Sequence, residues 1–232
     1  CRCPGRDERH HISGAISRVL TVYGRGTSDN VQKVLWMAGE TGQAFEHVPA
    51  GGSFGRLDSR EFLQMNPHGR IPIIDDGGVV VWESNAIIRY LAAVYCRESL
   101  WREDPVERAR ADQWMSWAQT TLYRDFNRLF WLTVRTPEKE QNADKIQSTR
   151  ERLIGCYGQL NAQLGKHAYV AGDHMTMADI PTGSTLYRYY TMPIQRPELP
   201  NLDRWYKLLC QRDAYREWVM VSFEELRGRL SF

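Results

Sequence analysis

Apolar positions along this chain follow two different rhythms, and the change between them divides it in two. Val19-Leu20-Thr21-Val22-Tyr23 is a short β-branched run that predicts a buried strand, followed by a polar, glycine-bearing loop from Gly24 to Asp29. From about Asn30 the period lengthens. Val31, Val34, Leu35 and Ala38 fall at i, i+3, i+4 and i+7, one stripe of a helix that Gly42 is placed to stop. Phe45 to Val48 predicts a second strand, and Ala50 to Leu57 a glycine-rich loop. Asp58-Ser59-Arg60-Glu61 reads as a cap before a short helical turn carrying Phe62 and Leu63. Ile71 to Ile74 and Val79 to Trp82 flank the turn Asp75-Asp76-Gly77-Gly78 and predict a hairpin. A helix from Ser84 then carries Ile87, Ile88, Leu91 and Tyr95.

The order βαβ followed by ββα is the thioredoxin-like pattern, a four-stranded mixed sheet with helices on both faces. It is predicted over residues 18–97, with a charged connector at 98–104. Beyond the connector no strand is predicted. Pro105 suits the first turn of a long helix reaching about Arg135, with Trp114, Trp117, Ala118, Thr121 and Leu122 near one face. Ala143 to Leu164 predicts a second helix. Thr176 caps a third with Asp179 at its third position, Pro200 starts a fourth, and Asp213 to Leu226 forms a fifth. The expected fold class is α/β plus all-α, with an all-helical unit over residues 105–232. Residues 1–17 are polar, without period, and read as a tail.

Composition removes several functions. A formal charge of +2, with Lys and Arg scattered, is too mild for a nucleic-acid binder. No run of eighteen apolar residues exists, so no membrane span is expected, and the start lacks an apolar segment of signal-peptide length. The five cysteines are odd in number; Cys96, Cys156 and Cys210 lie far apart, and Cys1-x-Cys3 has the wrong spacing for a zinc knuckle. Reduced thiols, a cytosolic setting and no metal site are expected. Eight tryptophans and eleven tyrosines point first to a large aromatic core.

Two stretches carry candidate chemistry: Asn66-Pro67-His68-Gly69-Arg70-Ile71-Pro72, and Glu83-Ser84-Asn85-Ala86-Ile87. Ile71 precedes a proline, which biases its backbone to the extended form, so its N–H and C=O can pair with a peptide like an added strand. Ser84 opens a helix, a natural anion site, and Glu83 beside it can pair with an ammonium group. Together they suit a small peptide held by its backbone and its charged end.

With Ser28-Asp29-Asn30-Val31-Gln32-Lys33-Val34 and Ala171-Gly172-Asp173 before Thr176-x-x-Asp179 added, the chain resembles the cytosolic glutathione S-transferases from residue 18 to its end, most closely the bacterial theta-like and nu-like groups. The resemblance implies glutathione as cosubstrate, no metal, and a cis Ile71–Pro72 bond whose isoleucine pairs with the cysteinyl part. It implies Ser84 for the γ-glutamyl carboxylate, Glu83 for the α-ammonium and Arg70 for the glycyl carboxylate. His47 faces the same end, as a ligand or as a structural or solvent-facing residue. Sulfur would be held as thiolate by the hydroxyl of Ser28 and the amide of Asn30, with Thr27 in reserve, although one of the pair can serve only as the helix cap. No cysteine stands in Ser28-x-x-Val31, which argues against a protein-based dithiol cycle. Trp117, Thr121 and Arg124 are the candidates for contact with the second substrate. Ser116 stands where many bacterial relatives carry an acid. The implied protein is a cytoplasmic homodimer that delivers the thiolate to a small electrophile, a peroxide or a disulfide. A disulfide reductase or peroxidase of the same fold, and a non-catalytic binding module, remain as alternatives.

Overall fold

The computed structural model describes residues 19–231; the tail expected over 1–17 lies outside them, with Cys1 and Cys3. The chain divides between Trp101 and Arg102. In the first unit the strands β1 (Leu20–Tyr23), β2 (Phe45–Val48), β3 (Ile73–Asp76) and β4 (Val79–Trp82) form one sheet in the order β2-β1-β3-β4. β1 runs parallel to β2 and antiparallel to β3, and β3 antiparallel to β4. The predicted stripe on α1 (Asp29–Thr41) is fully buried, and so are Trp36 and Met37. Gly42 ends this helix at φ +71°, a conformation that costs glycine little. α1 packs on α3 (Ser84–Tyr95), while α2 (Arg60–Met65) is capped by the Ser59 hydroxyl, which accepts from the Phe62 N–H.

Register decides where function can sit. Tyr23 stands opposite Val48 on one side and Ile73 on the other, and Ile73 stands opposite Trp82. The segments leaving β1, β2 and β4 and the segment entering β3 therefore meet at one edge of the sheet. The hairpin differs from expectation. Its turn is only Gly77-Gly78, at φ +59° and +95°, and Asp75 and Asp76 stay in the ladder. Two successive left-handed residues match the strand twist, so two suffice. Asp75 accepts from the Gly78 N–H at 2.7 Å, and the buried Asp76 accepts from the hydroxyls of Tyr90 and Tyr95. β3 also starts at Ile73, later than the predicted Ile71.

The second unit is helical. α4 (Pro105–Trp117) starts with Pro105 behind an Asp104 cap and runs through a π turn, Ala118–Leu122, into α5 (Tyr123–Phe130) and a second π turn, Trp131–Arg135. α6 (Ala143–Leu164), α7 (Asp179–Gly183), α8 (Leu186–Thr191), α9 (Pro200–Cys210) and α10 (Asp213–Trp218) follow. The predicted third helix is thus split into α7 and α8, and the predicted fifth ends at Trp218 instead of Leu226. Past Trp218 the chain finds better partners elsewhere. Phe223 packs edge-on against Phe130 at 5.3 Å, Gly228 N–H donates to the Val134 carbonyl, and Arg135 Nε donates to the Arg229 carbonyl. No helix among the described residues is long and apolar enough to cross a membrane.

The reciprocal bonds of the predicted capping box are present, although they close a turn just ahead of α7, which starts at Asp179 with Ala178 as its N-cap. Asp179, fully buried, accepts from the Thr176 N–H at 2.8 Å and the Val170 N–H at 3.1 Å, while the Thr176 hydroxyl accepts from the Ala178 N–H. Burial pushes the Asp179 carboxyl up to about 6 in spite of the donors from Thr176 and Val170. Asp179→Ala is expected to lose about 2–4 kcal/mol in urea denaturation, since it strands two buried N–H groups. The folded carboxyl holds its proton more tightly than the unfolded one. The stability this adds is therefore complete below the unfolded value of 3.8 and lost as pH rises through about 6. The gap between the protein and the variant should thus narrow as pH rises from 4 to 7, by roughly 3 kcal/mol at most.

Candidate functional site

The shared sheet edge of the first unit is built from three segments. The first is the β1–α1 loop. Gly24 N–H donates to the Val48 carbonyl at 3.0 Å, extending the strand pairing, and a Cβ on Gly24 would lie 2.4 Å from Val31 Cγ2, so the chain passes the helix too closely for a side chain. Gln32 Nε2 donates to the Gly26 carbonyl at 2.9 Å, and His47 Nε2 donates to the Gly24 carbonyl at 2.7 Å. His47 thus braces this loop. Ser28 is the N-cap of α1 by backbone conformation, yet its side chain makes no capping bond. Its hydroxyl is left at the positive end of a thirteen-residue helix.

The second segment is the turn before β3. Asn66, 3% exposed, is its lock: Nδ2 donates to the Arg70 carbonyl at 2.9 Å and Oδ1 accepts from the His68 N–H at 3.1 Å. The Gly69 N–H returns to the Asn66 carbonyl. The Ile71–Pro72 bond is cis, as the resemblance implies. Ile71 lies outside the β3 ladder and packs with Tyr23 and Leu57 against Ala50, Phe62 and Ile73. Arg70 is exposed.

The third segment joins β4 to α3. Glu83 is exposed and sits at φ +71°, ψ 115°, a sparsely populated conformation that costs about 1–3 kcal/mol for a residue with a side chain. Ser84, nine-tenths buried, opens α3.

One polar cluster ties the first segment to the third. Asn30 Oδ1 accepts from Lys33 Nζ at 2.9 Å and from the Ser84 hydroxyl at 3.3 Å. With its oxygen so occupied, the donor end of the Asn30 amide, Nδ2, is turned the other way. Lys33 is 4% exposed and lies 3.8 Å from the Asp29 carboxylate, itself buried. Burial pushes the Lys33 ammonium below its usual value; Asp29 and Glu83 pull it back. Sequence reasoning missed Lys33 and Asn66. Lys33 carried a signal, standing four residues after Asp29 and three after Asn30 on one helix face. Asn66 carried none beyond its place in the motif.

The structure brings Ser28, Asn30, Arg70, Ile71, Pro72, Glu83 and Ser84 to one edge. Trp117, Thr121 and Arg124 lie in the second unit on the long helix, whose even 3.6-residue spacing is interrupted by the π turn that contains Thr121. Trp117 and Thr121 are half-buried, with Trp117 edge-on to Trp114 at 5.1 Å. Arg124 is exposed and pairs at 3.6 Å with buried Asp125, which also holds Arg152 at 3.0 Å. A cleft of about 570 Å³, lined wholly from the second unit by Arg102, Arg110, Trp114, His174 and neighbours, contains none of the three. Among the described residues no group of three or more His, Cys, Asp or Glu is placed to hold a metal.

The family profile described as "Glutathione S-transferase, N-terminal domain" matches residues 18–93, and "Glutathione S-transferase, C-terminal domain" matches residues 115–213. The chain is 36% identical over 205 residues to glutathione S-transferase GstB of Escherichia coli, covering 88% of this chain and 99% of that protein. It is 42% identical to the theta class glutathione S-transferase of the citrus canker pathogen Xanthomonas axonopodis pv. citri, solved with glutathione bound, with a TM-score of 0.84 over 88% of this chain and 99% of that one. Glutathione transferase BmGSTD1 of Bombyx mori is 26% identical, with a TM-score of 0.80 over 90% of this chain and 97% of that one.

Asn66→Ala tests the lock on the second segment. It removes two part-buried hydrogen bonds and is expected to cost about 1–3 kcal/mol in denaturant unfolding, with the Arg70 and Ile71 amides exchanging faster in hydrogen-exchange measurements.

Proposed function

Since the chain belongs to the glutathione S-transferase family, we propose that it binds glutathione along the strand-end edge of its first unit, holds the sulfur as thiolate at the start of α1, and delivers it to a small electrophile. Free thiols ionise near pH 8.5, so only a few per cent is nucleophilic at neutral pH. Lowering that pKa by about two takes about 2.7 kcal/mol of preference for the anion. The observation that carries the proposal is the Asn30 amide. Its oxygen is taken by Lys33 and Ser84, which leaves its N–H donors to serve an anion next to the uncapped Ser28 hydroxyl. Two side-chain donors and the positive end of α1 then act on one sulfur.

The remaining contacts follow from chemistry. The Ile71 N–H and C=O pair with the cysteinyl residue of glutathione. The first turn of α3, with Ser84, takes the γ-glutamyl carboxylate, and Glu83 takes the α-ammonium. The strained backbone of Glu83 supports this assignment, since such strain is retained mainly where a site needs it. Arg70 meets the glycyl carboxylate. Trp117, Thr121 and Arg124 of the second unit are the candidates for contact with the electrophile. The enzyme works as a cytoplasmic homodimer in which Ser116, being uncharged, supplies no counter-charge to the partner's glutathione amine.

Ser28→Ala and Asn30→Ala test the roles. Each should raise the pKa of enzyme-bound glutathione, followed by thiolate absorbance against pH. Each should also lower kcat/KM toward an aryl halide at pH 6.5, about tenfold for every tenfold fall in thiolate. An unchanged thiol pKa in both variants would overturn the assignment. Parallel assays with a hydroperoxide and hydroxyethyl disulfide separate conjugation from peroxidase and reductase activity; faster turnover of either than of the aryl halide would replace conjugation as the main reaction.

A further inference from the structure

Asn30 poses a problem that the amide cannot solve alone. Its oxygen and nitrogen ends have nearly the same shape, and rotation by half a turn exchanges them. One orientation offers an anionic sulfur two donors; the other offers it a lone pair and repels it. The Ser84 hydroxyl, 3.3 Å away, does not discriminate, because a hydroxyl donates or accepts equally well. The protonated Lys33 side chain does. It has donors only, and at 2.9 Å it can tolerate nothing but the oxygen.

The local geometry favours this role over a purely structural one. Lys33 is 4% exposed, and burying an ammonium is expensive unless its partners are well placed. The Asp29 carboxylate lies 3.8 Å from the ammonium, whereas the Asn30 amide oxygen lies at hydrogen-bond distance, 2.9 Å. The shorter contact goes to the neutral amide. A packed apolar side chain at position 33, with a neutral residue at 29, would serve stability at least as well.

We propose that Lys33 is a positioning residue for the transferase reaction, fixing the Asn30 amide so that its N–H donors face the sulfur of glutathione. This rests on the reading of Ser28 and Asn30 given above. The experiment measures the thiol pKa of enzyme-bound glutathione by thiolate absorbance in the wild type, Asn30→Ala, Lys33→Met, the charge-neutral Asp29→Asn/Lys33→Met, and Lys33→Met combined with Asn30→Ala. Glutathione affinity is measured alongside by calorimetry. Lys33→Met is expected to raise the thiol pKa by about one, a roughly tenfold loss of thiolate below it, with affinity changed less than threefold. Asp29→Asn/Lys33→Met should do the same, and it carries the test if Lys33→Met does not fold. In the Asn30→Ala background the loss of Lys33 should add no further change, whereas a merely electrostatic effect of the cation would persist there. If Asn30→Ala raises the thiol pKa and loss of Lys33 does not, or if loss of Lys33 raises it equally with and without Asn30, this proposal is overturned and the role of Asn30 stands. If Asn30→Ala moves nothing, both are overturned.

Discussion

The side-chain oxygen of Asn30 joins the starts of the two helices on which the candidate site is built. Lys33 reaches it from the next turn of α1, and Ser84 reaches it from the first turn of α3. Two helix starts side by side are two positive ends, and they repel unless something negative or acceptor-rich stands between them. Here the Asn30 oxygen, the buried Asp29 carboxylate and Glu83 supply that balance. The Ser28 hydroxyl, which makes no capping bond, stands at the start of α1. The sheet makes this possible by register: with Tyr23 opposite Ile73 and Ile73 opposite Trp82, the loops entering the two helices cannot avoid meeting beside Pro72.

Much of this is legible in the sequence, for reasons that differ by element. The α1 stripe of Val31, Val34, Leu35 and Ala38 follows the helical period without interruption and is buried as expected. The hairpin is recognisable from its β-branched runs, but its turn reads two residues too long, because acidic residues look like turn formers until their partners are known. Asp76 stays in its strand since Tyr90 and Tyr95, both from α3, reach it. The last helix is overextended for a similar reason. Nothing local says that Phe223 will pack on Phe130, or that Gly228 will bond to the end of a π turn. The π turns themselves leave no periodic signature, so spacing alone puts Thr121 and Arg124 on an idealised face. In the candidate site the motif residues stand out because their expected chemistry is local, whereas Lys33 and Asn66 bond to neighbouring groups, the Asn30 amide and the backbone of His68 and Arg70, and escape a reading of the sequence.

Two buried charged groups show how differently the units use such residues. Asp179 in the second unit accepts backbone donors from Thr176 and Val170, and its position at the start of α7 explains it as a folding element. Lys33 in the first unit lies 3.8 Å from the Asp29 carboxylate and donates to the neutral Asn30 amide at 2.9 Å. Backbone bonds at one capping turn account for the buried acid; the buried cation bonds instead to a side chain of the candidate site, which ties it to that site.

The most direct test is a crystal structure of the protein with glutathione. The account predicts the tripeptide extended along Ile71, its γ-glutamyl carboxylate at the start of α3, and its sulfur within hydrogen-bond reach of the Ser28 hydroxyl and Asn30 Nδ2. An empty strand-end edge at saturating glutathione, or a sulfur lying away from α1, would contradict it.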